Sequence, residues 1–157
     1  MHPWMRQNAA VHFTEFDTRL AAYAVIVDEG RRVLLALWNE VVPPQWTMPG
    51  GGVELAETVE EAVVRELREE TGYEVRVGRL LGVHSLVVPP EARGSGSRPL
   101  KSVRIVFAAT IVGGELTREV DGTTDEARWF DLTDVVGLDR VRIVDIALQM
   151  YRAALVP

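Results

Sequence analysis

Residues 51–73 read GGVELAETVEEAVVRELREETGY. Glycines that open a helix-length segment, itself closed by Gly72, restrict the local fold to turn, helix, turn. Thr58 with Glu61 three residues on forms a capping box, and Gly72 stands where a left-handed C-terminal residue is expected. Val59, Ala62, Val63 and Leu67 recur at helical spacing and predict the buried stripe. Glu66, Glu69 and Glu70 stand at i, i+3 and i+4, so they share a face and are expected to aim at a common spot, beside or opposite that stripe. Three like charges so close repel one another unless something positive sits among them. Oxygen-only ligands select hard cations, so the natural occupant is Mg²⁺, with Mn²⁺ as a substitute. Taken alone, the carboxylates fit a solvated acidic helix face equally well.

The neighbouring residues decide between these readings. The segment fits G-x5-E-x7-R-E-U-x-E-E-x-G-U, where U is bulky and apolar, through Gly51, Glu57, Arg65, Glu66, Leu67, Glu69, Glu70, Gly72 and Tyr73. With roughly 5–9 % usage per residue type, seven fixed positions match by chance on the order of once in 10⁸ windows. The chain therefore resembles the Nudix hydrolases. Tyr73, aromatic where the pattern usually has an aliphatic residue, is a mild departure.

The resemblance implies an α/β fold, a Nudix-like α/β/α sandwich with a mixed β-sheet between helices. It implies hydrolysis of a nucleoside diphosphate linked to a moiety X, with Mg²⁺ as cofactor. Glu66, Glu69 and Glu70 match the metal-ligating positions, the carbonyl of Gly50 matches a further ligand, and Glu57 matches an outer one. Arg65 matches the arginine that orients and partly neutralises the glutamates. Otherwise it is an ordinary surface partner of Glu69 or Glu61. The general base is Glu66 in some members and a distant loop acid in others, here one of Glu119, Asp121, Asp125 or Glu126. Arg93, Arg98, Lys101 and Arg104 surround a glycine-serine loop. They serve either solubility or, through Arg98 and Arg104, a clamp on the distal phosphate or X.

The substrate is less constrained. A subgroup acting on ADP-ribose carries a proline about sixteen positions past the motif, and Pro89 lies 16 residues after Tyr73. ADP-ribose or a related nucleoside diphosphate sugar is the first reading, and a (deoxy)nucleoside triphosphate or its oxidised form the second. A nucleotide-sensing module without catalysis would ordinarily lose a motif carboxylate, and all are present. Dimers are frequent in the family, so a homodimer is compatible with the resemblance.

Composition narrows the setting. The net charge is −6, much of it in the motif helix, which disfavours an extended nucleic-acid surface. There are no cysteines, which excludes disulfides, thiolate metal sites and a cysteine nucleophile, and fits a cytoplasmic protein. No apolar run approaches the roughly 20 residues of a membrane span, and MHPWMRQ lacks the apolar stretch of a signal peptide. The 157 residues suit one domain, with residues 1–20 forming an arm or an edge strand.

Along the chain, Tyr23 to Asp28 and Arg32 to Trp38 flank Glu29-Gly30 and read as a hairpin. Residues 75–88 read as one long strand bent at Gly78 and Gly82, and 89–99 as a polar loop. Residues 102–112 form a strand, with Gly113-Gly114 turning into a partner at Glu115 to Thr117. Ala127 to Leu132 is the last strand. Val141 to Leu155 closes the chain as an amphipathic helix with Val144, Ala147, Leu148, Tyr151 and Leu155 on one side. His2, His12 and His84 show no ligand spacing and read as structural.

Overall fold

The computed structural model describes residues 11–157. Its strands are β1 (Asp17–Val25), β2 (Arg32–Trp38), β3 (Gln45–Thr47), β4 (Gly50–Gly52), β5 (Tyr73–Val88), β6 (Leu100–Gly114) and β7 (Thr124–Asp131). The helices are α1 (Val59–Thr71) and α2 (Arg142–Ala154). Four strands form a mixed sheet in the order β4-β1-β6-β5, with β1 parallel to β6 and the other pairs antiparallel. Three form an antiparallel sheet in the order β3-β2-β7. Among the described residues no helix is long and apolar enough to cross a membrane.

The sandwich follows from the alternation in β1. Ala22, Ala24 and Ile26 pack on one side with Ala62, Val63 and Leu67 of α1. Ala21, Tyr23 and Val25 pack on the other with Ile143, Val144, Ala147 and Leu148 of α2. A strand with a helix against each face must be apolar on both, which is why residues 20–27 read as an unbroken apolar run. The α/β sandwich expected from the motif is thus present, built from two sheets rather than one.

Several local expectations need correction. Residues 1–10 lie outside the described residues, and Asp17 to Leu20 open β1, laddered on one side to β6 before β4 joins the other side at Ala21. The turn at Glu29-Gly30 does close locally, through a bridge from Val27 to Val33, but β1 and β2 then enter different sheets. A two-stranded ribbon cannot bury strands that are apolar on both faces, so each instead becomes the centre of its own sheet. Gly113 and Gly114 continue the β5–β6 ladder opposite Glu74 and Tyr73, and Glu115 to Thr117 form no strand. That segment crosses the end of α1, where Thr117 N–H donates to the Thr71 carbonyl at 2.9 Å. Leu155 lies past the end of α2 and is 64 % exposed, so it leaves the stripe that Val144, Ala147 and Leu148 form.

Candidate active site

The start of α1 is fixed by the expected reciprocal bonds. Glu61 N–H donates to Thr58 Oγ1 at 3.2 Å, and Thr58 N–H donates to Glu61 Oε2 at 2.7 Å. Gly72 ends the helix at φ 76°. Ala62, Val63 and Leu67 are fully buried and Val59 half-buried, so the predicted stripe docks the helix on the mixed sheet.

Docking brings the next face of the helix to the glycine turn, where space is short. A Cβ on Gly51 would stand 2.7 Å from Glu66 Oε1, and one on Gly50, at φ 135°, 2.2 Å from the Ala22 carbonyl oxygen. Only glycine lets strand β4 lie between β1 and the Glu66 carboxylate. The Gly50 N–H donates to Glu70 Oε2 at 2.9 Å.

Each carboxylate has a different environment. Glu70 is only 3 % exposed, on the core side of its face rather than in water. Burial pushes its carboxyl well above the usual range, against the Gly50 hydrogen bond, and the charges of Glu66, Glu119 and Glu69 push it further. Glu66 is half-buried and shifts upward for the same first reason, although the Arg65 guanidinium pulls the other way. Glu69 is exposed.

Arg65 ties the group together. It grips Glu57 with two nitrogens, at 2.6 and 3.1 Å, and donates to Glu66 at 2.9 Å, to Glu69 at 3.3 Å and to the Gly52 carbonyl at 3.0 Å. This replaces the simple surface pair with Glu69 or Glu61 by a fork joining the helix to the glycine turn. Glu57 also accepts the Glu54 N–H at 2.8 Å. With Arg65 foremost among its partners, its carboxyl stays below the usual range.

The expected single focus of the three carboxylates is not what the side chains adopt. Glu66 and Glu69 turn to Arg65 and Glu70 turns to Gly50, and among the described residues no three acidic or histidine side chains converge on a metal-sized point. Like charges separate when each can find its own donor. The donor set still fits a hard divalent cation. Glu66, Glu69, Glu70 and Glu119 influence one another electrostatically, one is buried as a raised carboxyl, and Arg65 divides a single positive charge between this group and Glu57.

Of the four loop acids, Glu119 is the one whose charge reaches Glu66 and Glu70. Its Oε2 accepts the Thr124 N–H at 2.9 Å and the Thr124 hydroxyl at 2.7 Å, which fixes the loop acid in place. Composition could not single it out, because the selecting contact is made by a residue five positions on. Glu126 lies instead on the face of β7 beside Arg128, whose guanidinium takes both its oxygens at 3.1 Å. Arg128 stacks over Trp46 and Phe130, whereas Ala127 and Trp129 face α1.

The arginines around the glycine-serine loop divide. Arg93 pairs with Asp17 at 2.7 Å, and Arg98 donates to the Thr14 carbonyl at 2.7 Å and lies 3.6 Å from Asp17. Both pin the loop to the start of β1, five residues along the strand from Ala22 opposite Gly51. That is about 17 Å away. Of the two readings open for Arg98, solubility or a substrate clamp, its contacts match neither and tie it to the start of β1. Arg104 is in the middle of β6 and remains without an ion-pair partner among the described residues.

A model of the NUDIX domain matches residues 17–152. An ADP-ribose pyrophosphatase of Methanocaldococcus jannaschii is 36 % identical over 127 residues, covering 80 % of this chain and 70 % of that protein. The NAD-capped RNA hydrolase NudC of Pseudomonas aeruginosa is 36 % identical over 108 residues, covering 69 % of this chain. The chain spans 34 % of that NudC and 27 % of a Caenorhabditis elegans relative, so several curated relatives are much longer. Among solved structures, a MutT NUDIX hydrolase from Burkholderia pseudomallei is 30 % identical with a TM-score of 0.69, covering 85 % of this chain and 98 % of that one. A NUDIX hydrolase from Nitrosomonas europaea reaches a TM-score of 0.74 at 21 % identity, covering 88 % and 90 %, and speaks for the fold alone.

Proposed function

Given that the chain belongs to the Nudix hydrolase family, we propose that it cleaves the pyrophosphate bond of a nucleoside diphosphate linked to a moiety X, with ADP-ribose or a related nucleoside diphosphate sugar as substrate. The observation that carries this reading is the carboxylate group around the glycine turn, with Glu70 buried in it and Arg65 threaded through it. Nudix hydrolases use divalent cations, and Mg²⁺ suits this all-oxygen set. Glu66, Glu69 and Glu70 would hold it, with the Gly50 carbonyl as a further ligand and Glu57 as an outer residue acting through Arg65. When bound, the cation neutralises phosphate oxygens and favours hydroxide at neutral pH.

The chain's own residues then divide the work. Arg65 keeps Glu66 and Glu69 oriented and anchors them to Gly52, so less orientation is lost during turnover. Glu66, half-buried beside Gly51, is the α1 acid assigned to accept the proton of the attacking water. Glu119 supplies a second acid on a loop braced by Thr124. Water adds to one phosphorus, the bond from that phosphorus to the bridging oxygen breaks, and two phosphate monoesters leave.

Identification of products from a nucleotide panel tests the reading. AMP plus ribose 5-phosphate from ADP-ribose supports it. Pyrophosphate plus a nucleoside monophosphate, from triphosphates alone, replaces it with a triphosphate pyrophosphohydrolase. Tight nucleotide binding without turnover replaces it with a sensing module.

A further inference from the structure

The four-stranded sheet carries a second charged group, on the face turned toward α2. Its position follows from register. Gly52, Ala21, Arg104 and His84 lie opposite one another across β4, β1, β6 and β5. Ala21 belongs to the α2-side cluster, and two residues along β5 a Cβ on Gly82 would meet Met150 of α2 at 2.8 Å. Arg104 and His84 therefore project on that side, near the N-terminus of α2.

Among the described residues, Arg104 Nε and His84 Nδ1 are buried with no hydrogen-bond partner, a costly condition for polar atoms unless water or a ligand satisfies them. Arg142, the first residue of α2, adds a third cation, and both arginines hold the His84 imidazole below its ordinary basicity, after the effect of burial. Arg142 also sits at the positive end of the helix dipole, and Val141 before it supplies no side-chain cap. A cation there opposes the stability of the helix. On the flanking elements, Asp17 of β1 pairs with Arg93 and Arg98, and Asp145 of α2 pairs with Arg140 at 2.9 Å. Arg19 continues the charge toward the glycine turn, with its Nη2 3.7 Å from where a Cβ of Gly52 would stand.

We propose that Arg104, His84 and Arg142 form a binding site for a phosphate monoester, so that the preferred substrates carry such a group beyond the pyrophosphate that is cleaved. At two strand spacings, the Arg104 backbone lies about 10 Å from Gly52 on the edge strand β4, whereas Gly51 beside it turns toward Glu66 on the α1 face, so a molecule that reaches both groups passes around the β4 edge. That separation suits a phosphate elsewhere on one nucleotide-sized molecule rather than the scissile pair. The substrate class rests on the hydrolase reading above, whereas anion binding does not.

The test is a phosphate titration of the metal-free protein in EDTA, followed by the ring resonances of His84. Inorganic phosphate is expected to shift them saturably in the millimolar range, and Arg104→Gln to weaken the affinity at least tenfold. Arg142→Gln is a second variant that leaves the sheet untouched. It should weaken binding severalfold while raising Tm, because a cation leaves the helix N-terminus. His84 unmoved by 50 mM phosphate, or equal shifts in wild type and both variants, would overturn the site. Adenosine 2′,5′-bisphosphate and adenosine 3′,5′-bisphosphate are then compared with AMP. Tenfold tighter binding of either supports the substrate class and identifies the position of the group, and equal affinity for all three overturns it. Phosphate binding without any hydrolysis would sink only the hydrolase reading.

Discussion

Replacing Leu67 with alanine should separate the helix's attachment from its chemistry. Leu67 is fully buried among Ala22, Ala24, Ile26, Leu34 and Phe107, and it lies between Glu66 and Glu69 in sequence. Truncating a fully buried leucine costs about 3–4 kcal/mol, from lost transfer energy and the cavity that remains. In a domain of this length each kcal/mol moves Tm by about 2–4 °C, so a fall of about 6–16 °C is expected. Urea unfolding in EDTA, with unchanged m, measures the loss without interference from a cation. Below the transition, kcat per folded molecule should stay within about threefold of wild type, since no group that contacts substrate has changed. A loss of less than about 1 kcal/mol would refute the docking of α1 by this face. An unchanged Tm with abolished kcat would mean that Leu67 belongs to the chemistry.

Glu70→Gln keeps an acceptor for the Gly50 N–H and removes a buried charge. Because burial raises the folded-state pKa of Glu70, the folded protein binds more protons than the unfolded chain above about pH 4.5, and stability declines as pH rises through that window. In EDTA the variant should therefore gain Tm over wild type at pH 8 and little at pH 4.5; a gain that is equal at both would contradict the assignment. Gly51→Ala, with its Cβ 2.7 Å from Glu66 Oε1, should lower kcat at least tenfold while circular dichroism stays native. Arg65→Lys retains the charge and loses the fork to Glu57, so kcat should again fall at least tenfold, and wild-type rates would show the fork to be dispensable.

Local signals were legible where one short stretch carries both cause and effect. Thr58, Glu61 and Gly72 bound a helix through contacts three or four residues apart, and Val59 to Leu67 reveal its buried side by spacing alone. The division of β1 and β2 between two sheets was not legible, because strand partners are chosen by faces distant in sequence. The carboxylates show the same limit. Their spacing places them on one helix face, but the burial of Glu70 depends on how closely β4 approaches, which only Gly50 and Gly51 permit. Glu119 stood among equivalent loop acids until Thr124 distinguished it, and Arg98 resembled Arg104 until Asp17 claimed it. His84 gave no signal at all, since its neighbours Arg104 and Arg142 meet it only across strands and from a distant helix.

Hydrolysis as proposed requires the α1 glutamates to hold the cation. The most direct test is the Mg²⁺ dependence of ADP-ribose turnover in wild type and Glu69→Gln, since Glu69 is exposed and its loss should leave the fold unchanged. Turnover should be absent in EDTA and saturable in Mg²⁺, with kcat at least 100-fold lower in the variant and an unfolding midpoint equal to wild type. Wild-type turnover by Glu69→Gln, or turnover that persists in EDTA, would contradict that requirement.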